Sequence, residues 1–249
     1  MSELYIVATP IGNLGDMTFR AVEILKSVDV VAAEDTRHTL QLLNHFEIRK
    51  PLVSCRAQNE QFASEKIIKL LDEGQKVAYA SDAGTPGISD PGAVLAGLAR
   101  KAGHSVIPIP GASAFAALAS VAGAGGKTLI FEGFLSPKPG RRRSRVKELL
   151  ETGDAVILYE SPFRIVKLLA DIADIESSRH VVVGRELTKL HEEITEGTAQ
   201  EVFEDYSSRQ KILGEFAVFI SGNKNVKISE ESSDKIREAR YDDKQDFRG

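Results

Sequence analysis

Short apolar runs separated by turn-forming residues set the rhythm of the first half of the chain. Residues 4–8, 28–33, 51–54, 77–80 and 105–109 are brief, rich in Val, Ile, Leu and Ala, and bounded by Gly, Pro, Asp or Ser, which is how buried strands read. The stretches between them carry helical signals. Thr18 or Asp16 can cap a helix through Ser27 that shows Phe19, Val22, Ile24 and Leu25 on one face. Further helices are predicted over 38–46, from Asn59-Glu60 to Glu73 with Gly74 as the stop, over 93–102, and over 114–121, where the side chains are small enough to pack close to a sheet. Strand, loop and helix in repetition predict an α/β domain on a largely parallel sheet.

A composition break at Gly123-Ala124-Gly125-Gly126 marks a domain boundary, after which the pattern resumes. Strands are expected over 128–131, 155–159, 180–183, 192–197 and 215–220, with helices over 144–151, 164–173 and 199–206. The connections are tighter, so this sheet is expected to be mixed. The reading is two α/β domains, 1–122 and 123–224, with a cleft between them. Residues 225–249 carry both charge signs and no sustained apolar run, and read as a mobile or solvated tail.

One stretch organises the chain. The strand 77–80 breaks into Ser81-Asp82-Ala83-Gly84-Thr85-Pro86-Gly87, then Ser89-Asp90-Pro91-Gly92. The glycines allow positive φ and close ligand approach, and Pro86 stiffens the bend. Asp82 and Thr85 offer polar groups at the carboxyl end of a strand, where open α/β sheets bind ligands. Residues 89–92 are placed to cap the helix beginning at Ala93. Thr9, Asp35 and Ser113 follow other strands in the same way.

Composition narrows the chemistry. Of 249 residues, 42% are hydrophobic and 27% charged, the balance of an ordinary soluble protein. The net charge of −4 confines any nucleic-acid contact to a local patch. A single cysteine, Cys55, excludes a disulfide framework or cysteine-cluster metal site, and none of the five histidines has metal-ligand spacing, so no metal is expected. No signal peptide or uninterrupted membrane-length apolar run is read, and a cytoplasmic location is expected. Walker A, Gly-x-Gly-x-x-Gly and Gly-x-Ser-x-Gly patterns are all missing from the sequence.

Seven motifs, in order over about residues 4–222, carry a resemblance. They are Leu4-Tyr5-Ile6-Val7-Ala8-Thr9-Pro10-Ile11-Gly12-Asn13-Leu14, Ala33-Glu34-Asp35-Thr36-Arg37, Asn59-Glu60, Ser81-Asp82-Ala83-Gly84-Thr85-Pro86, Glu132-Gly133-Phe134-Leu135, Tyr159-Glu160-Ser161 and Arg185-Glu186-Leu187-Thr188-Lys189. Together they resemble the ribosomal-RNA-methylating branch of the tetrapyrrole methylase superfamily. The resemblance implies an S-adenosylmethionine-dependent transferase acting on the ribose 2′-hydroxyl of a cytidine in the decoding region of 16S rRNA, alone or in the small ribosomal subunit. It also implies a cofactor in the cleft between two α/β domains, and a homodimer. Carried over by position, Pro10, Asp82, Thr85, Ser113, Ala114, Tyr159 and Leu187 are the implied cofactor wall. Two departures stand out. Cys55-Arg56-Ala57-Gln58 lacks the histidines often found before Asn-Glu, so no histidine base is available there. Pro110-Gly111-Ala112 replaces a Pro-Gly-Pro turn.

Methyl transfer to a 2′-hydroxyl needs in-line positioning and an acceptor for its proton. Asp35, Glu60 and Glu186 are candidate acceptors, and Lys189 and Arg185 can hold a phosphate or steady a developing alkoxide. The run Arg141-Arg142-Arg143-Ser144-Arg145 is the candidate RNA contact. The same fold acting on a small tetrapyrrole is the alternative. The arginine run argues against it, because a macrocycle needs no such cluster. A non-catalytic RNA-binding protein is a third reading, opposed by the cleft motifs.

Overall fold

The computed structural model describes residues 2–56, 58, 60–123 and 128–223. The first unit alternates β1 (Glu3–Val7), α1 (Phe19–Ser27), β2 (Val30–Ala33), α2 (Thr36–His45), β3 (Leu52–Ser54), α3 (Glu60–Asp72), β4 (Val77–Ala80), α4 (Ala93–Lys101), β5 (Ser105–Ile109) and α5 (Ala114–Val121). The second comprises β6 (Leu129–Phe134), α6 (Pro139–Glu151), β7 (Ala155–Glu160), α7 (Ile165–Ile175), β8 (His180–Arg185), β9 (Glu193–Thr198), α8 (Ala199–Ser208) and β10 (Phe216–Ile220). The expected tail from 225 onward lies outside the described residues, as do Ala124, Gly125 and Gly126 of the expected boundary.

All neighbours in the first sheet, ordered β3-β2-β4-β1-β5, are parallel. β2 and β4 are buried along their whole length, as strands covered by helices on both faces must be. Leu4, Val77 and Tyr79 point into one apolar cluster with α3 and α4, while Tyr5, Val7 and Ala78 point into another with α1 and α2. The second sheet, ordered β6-β7-β10-β8-β9, is mixed. Only β6 and β7 run parallel. β10 enters antiparallel between β7 and β8, and β9 closes the edge as the antiparallel neighbour of β8.

β10 shows the two-sided burial directly. Phe216, Val218 and Ile220 face the cluster under α6, α7 and α8, whereas Ala217 and Phe219 face the cluster that contains Leu118 and Ala122 from the end of α5. α5 therefore belongs to the first unit by sequence and covers the second sheet by packing. Leu118 is its one fully buried residue, and Ala116, Ser120 and Val121 stay exposed, so one side of α5 packs on the sheet and the other faces outward.

The arginine run is where the structure departs most from expectation. The helix predicted from 144 begins at Pro139, so all four arginines lie on α6. Proline at the first helical position loses no hydrogen bond there, which explains the early start. Arg142 is buried, and its Nε donates to Asp171 on α7 at 2.6 Å. Arg143 pairs with Asp174 at 2.9 Å. Arg145 forks onto both carboxylate oxygens of Glu132 at 2.8 and 2.9 Å and reaches Glu148. Arg142 is thus a strut between α6 and α7 and offers no surface to RNA, and Arg143 and Arg145 are neutralised in place. Arg141 is exposed and enters none of these pairs.

Removing one member of a buried ion pair strands the other, a loss of about 3 kcal/mol or more. Arg142→Ala should show a loss of this kind in urea unfolding, since Asp171 is only 14% exposed, lessened by the 3.7 Å contact that Arg143 keeps with Asp171. Arg141→Ala should change stability by less than about 0.5 kcal/mol. Equal, small effects would place Arg142 back on the surface.

Candidate active-site cleft

β1 and β4 are neighbours, yet the helices that follow them pack on opposite faces of the sheet, α1 against Tyr5, Val7 and Ala78 and α4 against Leu4, Val77 and Tyr79. Loops that leave adjacent strands for opposite faces open a crevice at the carboxyl ends of the strands. Two backbone hydrogen bonds between Thr9 and Gly84, at 2.9 and 3.0 Å, tie the loops together at that point. Gly84 sits at φ +81°, a conformation that a side chain resists. The Thr9 hydroxyl donates to the Ser81 carbonyl, and the Thr85 hydroxyl donates to the Ala112 carbonyl at 3.1 Å. Three loops are thereby fixed as one rim.

The opposite wall comes from the second sheet. Leu187 is buried against Leu118, and a Cβ on Gly184 would stand 2.9 Å from the Leu187 side chain and 3.1 Å from Leu118, so glycine is what allows this approach. The Tyr159 hydroxyl accepts from the Phe115 amide at 2.8 Å, satisfying a free N–H at the start of α5. Burial raises the Tyr159 pKa, so the phenol stays neutral. Phe131 and Phe134 flank it in edge-to-face contacts, and Phe115 packs edge-on against Phe131. The resulting cleft encloses about 290 Å³ between the rim and this wall. Ile11, Ile88, Phe134, Leu187 and Phe216 supply its apolar lining, and Ser89, Asp90, Ser113 and Glu160 its polar groups.

Of the expected cofactor wall, Thr85, Ser113, Ala114, Tyr159 and Leu187 line this cleft, whereas Pro10 and Asp82 do not. Asp82 turns the other way, and its Oδ1 accepts from the Asp35 amide at 2.9 Å. Sequence reasoning missed Ile88, Asp90, Phe134, Glu160 and Phe216 as lining residues. Asp90 and Ile88 lie in the organising stretch, where Asp90 was read only as part of a cap. Phe216 gave no signal, because its place depends on β10 being inserted into the sheet.

The expected acid–base residues have other occupations. Asp35 caps α2, accepting from the Arg37 amide, and pairs with the Arg37 guanidinium at 2.9 Å. Arg37 holds its carboxyl well below the usual range, which makes it a poor base. Glu60 caps a helix that is not its own, its Oε1 accepting from the amides of Gly92 at 2.7 Å and Val94 at 3.1 Å. It does for α4 what residues 89–92 were expected to do, since Gly92 has no capping side chain. Glu186 receives Lys189 Nζ and the Glu215 amide, each at 2.9 Å. Burial pushes its pKa up, but these donors outweigh it and the net shift is downward. Lys189 bridges Glu186 and Glu215, and a Cβ on Gly12 would lie 2.3 Å from its stem, so the loop after β1 packs on this bridge. Arg185 lies in β8 rather than in a free turn, donating to the Leu213 carbonyl and pairing with Glu193. Asp35, Glu60, Glu186, Lys189 and Arg185 all stand outside the cleft lining.

Two carboxylates remain on the wall with capacity to spare. Glu160 accepts from the Ser161 amide and pairs with Arg164 through Oε1, at 2.7 Å in each case, while its buried Oε2 has no partner. Asp90 has its pKa raised by burial, which outweighs a lowering by the Ser81 hydroxyl, with the Asp82 carboxylate adding a smaller rise. An apolar slot with an orphaned acceptor and serine hydroxyls at its edge fits a flat heteroaromatic ligand bearing N–H and hydroxyl donors, such as an adenosyl group.

Comparison with known proteins meets the same architecture. The family described as tetrapyrrole (corrin/porphyrin) methylases matches residues 3–202. A protein of Borrelia garinii called ribosomal RNA small subunit methyltransferase I is 45% identical over 88% of this chain and 98% of its own length. Proteins of the same name from Thermotoga maritima (44% identical, 89% of this chain, 99% of that one) and Bacillus subtilis (41%, 93% and 79%) agree. Among solved structures, the cobalt precorrin-4 methyltransferase CbiF superposes with a TM-score of 0.65 at 16% identity, covering 88% of this chain and 94% of that one. The uroporphyrin-III-C-methyltransferase of Thermus thermophilus gives 0.60, also at 16% identity, with the same coverage. At that identity the two structures speak for the fold alone.

The Lys189 bridge has a pH signature. Glu186 titrates below its unfolded value, so its contribution is complete above about pH 4.3 and is lost as pH falls through the depressed native pKa. Burial lowers the Lys189 pKa, but Glu215 and Glu186 outweigh it, so its contribution is complete below about pH 10.4 and fades as pH rises through the raised value. Lys189→Met should therefore lower the melting temperature most between these limits, with the gap closing in acid. A gap independent of pH would assign the loss to packing on Gly12 instead.

Proposed function

The chain belongs to the tetrapyrrole methylase family, and within it we propose that it transfers a methyl group from S-adenosylmethionine to the ribose 2′-hydroxyl of a cytidine in the decoding region of 16S rRNA. The observation that carries this reading is the match, at 41–45% identity over most of the chain, to proteins that share one ribosomal-RNA methyltransferase name. The tetrapyrrole alternative rests on the fold alone. The arginine run does not decide between the two, since Arg142, Arg143 and Arg145 are paired within the protein.

Bound in the cleft, S-adenosylmethionine supplies an electrophilic methyl on a sulfonium. The protein's part is to hold and orient. Ile11, Ile88 and Leu187 would provide apolar faces for the adenosyl group, Glu160 Oε2 would accept one of its N–H or hydroxyl donors, and Thr85, Ser113 and Ala114 would form the rim beside it. The rim loops are tied to one another, so the site is organised before the ligand arrives and a large share of the rate can come from orientation.

The proton of the 2′-hydroxyl needs an acceptor. Glu160 is committed to Arg164 and Glu215 to Lys189. That leaves Asp90 among the described cleft carboxylates, and its raised pKa makes it a stronger base than an ordinary aspartate. Its carboxylate takes the proton as the oxygen attacks. We extend the reading to a cytoplasmic homodimer.

Small subunits from cells that lack the modification, incubated with the protein and isotope-labelled S-adenosylmethionine, should gain one methyl on a cytidine ribose in the decoding region. Mass-spectrometric mapping that finds none overturns the reading. Asp90→Asn should cut single-turnover methylation by roughly 10²–10⁴-fold and leave S-adenosylhomocysteine affinity within a few-fold. The wild-type rate should rise with pH through a pKa above that of a free aspartate. A fully active Asp90→Asn protein would remove Asp90 as the base.

A further inference from the structure

Two phenylalanines remain exposed where the second sheet meets the cleft. Phe134 ends β6, lines the cleft and is 57% exposed, its ring edge-on to Tyr159 at 5.7 Å. Phe163 follows Ser161 and Pro162, which also line the cleft, and is 86% exposed. The two belong to one piece of surface. β6 and β7 are parallel neighbours with Phe134 opposite Tyr159. Arg164, next to Phe163, donates to the carbonyl of Leu135, next to Phe134, at 3.3 Å. The buried pair of Arg164 with Glu160 holds the turn in place from below. The segment that leaves Phe134 then carries Lys138 and Arg141, both exposed.

A ribose buried in a duplex or stack cannot bring its 2′-oxygen into a cleft of this size. The nucleotide has to leave the stack, and its base then needs a new face to lie on. Exposed aromatic rings provide such a face, and neighbouring cations neutralise the phosphates on either side. We propose that Phe134 and Phe163 form the platform that receives the extruded base of the target nucleotide, with Lys138 and Arg141 holding its flanking phosphates. This platform presupposes the RNA substrate proposed above. It also gives the exposed cations next to Phe134 a partner, which the internally paired arginines of α6 do not require.

The test uses the full chain and small ribosomal subunits lacking the methyl group. Phe134→Leu and Phe163→Leu keep apolar bulk and remove the ring, whereas Phe134→Trp and Phe163→Trp restore a stacking face. Each Leu variant should lose roughly 5- to 100-fold in kcat/KM, mainly through KM, and the Trp variants should recover most of it. S-adenosylhomocysteine affinity by calorimetry, melting temperature and sedimentation mass should stay at wild-type values in the Phe163 variants, and Phe134→Leu, whose ring also lines the cleft, should lose more in kcat/KM than in S-adenosylhomocysteine affinity. Unchanged kcat/KM in both Leu variants overturns the platform. So does a loss that follows cofactor affinity, or one that follows a fall in mass, which would make these rings a contact between two copies of the chain. If the wild-type protein itself fails to methylate the particles, the RNA reading falls before the platform is reached.

Discussion

The packing of α5 against the second sheet is the contact on which the cleft depends. The helix belongs to the first unit, but Leu118 and Ala122 are buried among Ile157, Val182, Ala217 and Phe219 of the second. A fully buried leucine contributes roughly 1.5–3 kcal/mol, and truncation of one typically costs 2–5, so this seam is a substantial part of what holds the two sheets in register. The Tyr159 hydroxyl adds direction by accepting the Phe115 amide at the first turn of the same helix. Ser113 and Ala114, at the start of α5, are therefore placed opposite Leu187 by the seam itself. Gly184 is the enabling residue, because a side chain there would strike both Leu187 and Leu118.

Charge is handled in the same economical way around that seam. Nearly every acidic or basic side chain that looked chemically available has a structural partner a few ångströms away. Glu60 reaches across to cap α4, Asp35 caps α2, Arg142 braces α6 against Asp171, and Lys189 spans Glu186 and Glu215. These contacts fix the loops that leave the strands, so the walls of the cleft can remain apolar and its few polar groups can be reserved for ligands. Asp90 and the Oε2 atom of Glu160 stand out against that background because one is raised in pKa and the other is unpartnered.

The strand–helix alternation was legible because each strand of the first unit is a short apolar run closed by turn residues. The bounds of β4, β5 and α5 were read to the residue, since each begins and ends on an abrupt change of residue type. The mixed character of the second sheet was also legible, from the short connections around β8, β9 and β10. The start of α6 was not. Four cations in five residues read as a loop-borne patch, yet Pro139 opens the helix and turns Arg142 and Arg143 towards α7 while Arg145 meets Glu132 of β6. Whether an arginine binds RNA or an aspartate 29 positions away is decided by tertiary packing, as Arg142 and Asp171 show. Residue type alone carries no such information.

The site was legible in its position and less so in its chemistry. Strand ends and small residues pointed to loops that meet at one cleft, and Thr85, Ser113, Ala114, Tyr159 and Leu187 line it. The roles of Asp82 and Asp90 could not be told apart in sequence, because both are aspartates in turns of one stretch. Their difference is geometric. Asp82 points back across the strand ends to the Asp35 amide, whereas Asp90, eight residues on and past the Gly84 and Gly87 bends, comes round to the cleft side. Gly84 and Gly87, both at positive φ, allow the bends that separate the two, and like carboxylates come to unlike work: one holds the scaffold, and the other is left with a weakened acid and a cavity in front of it.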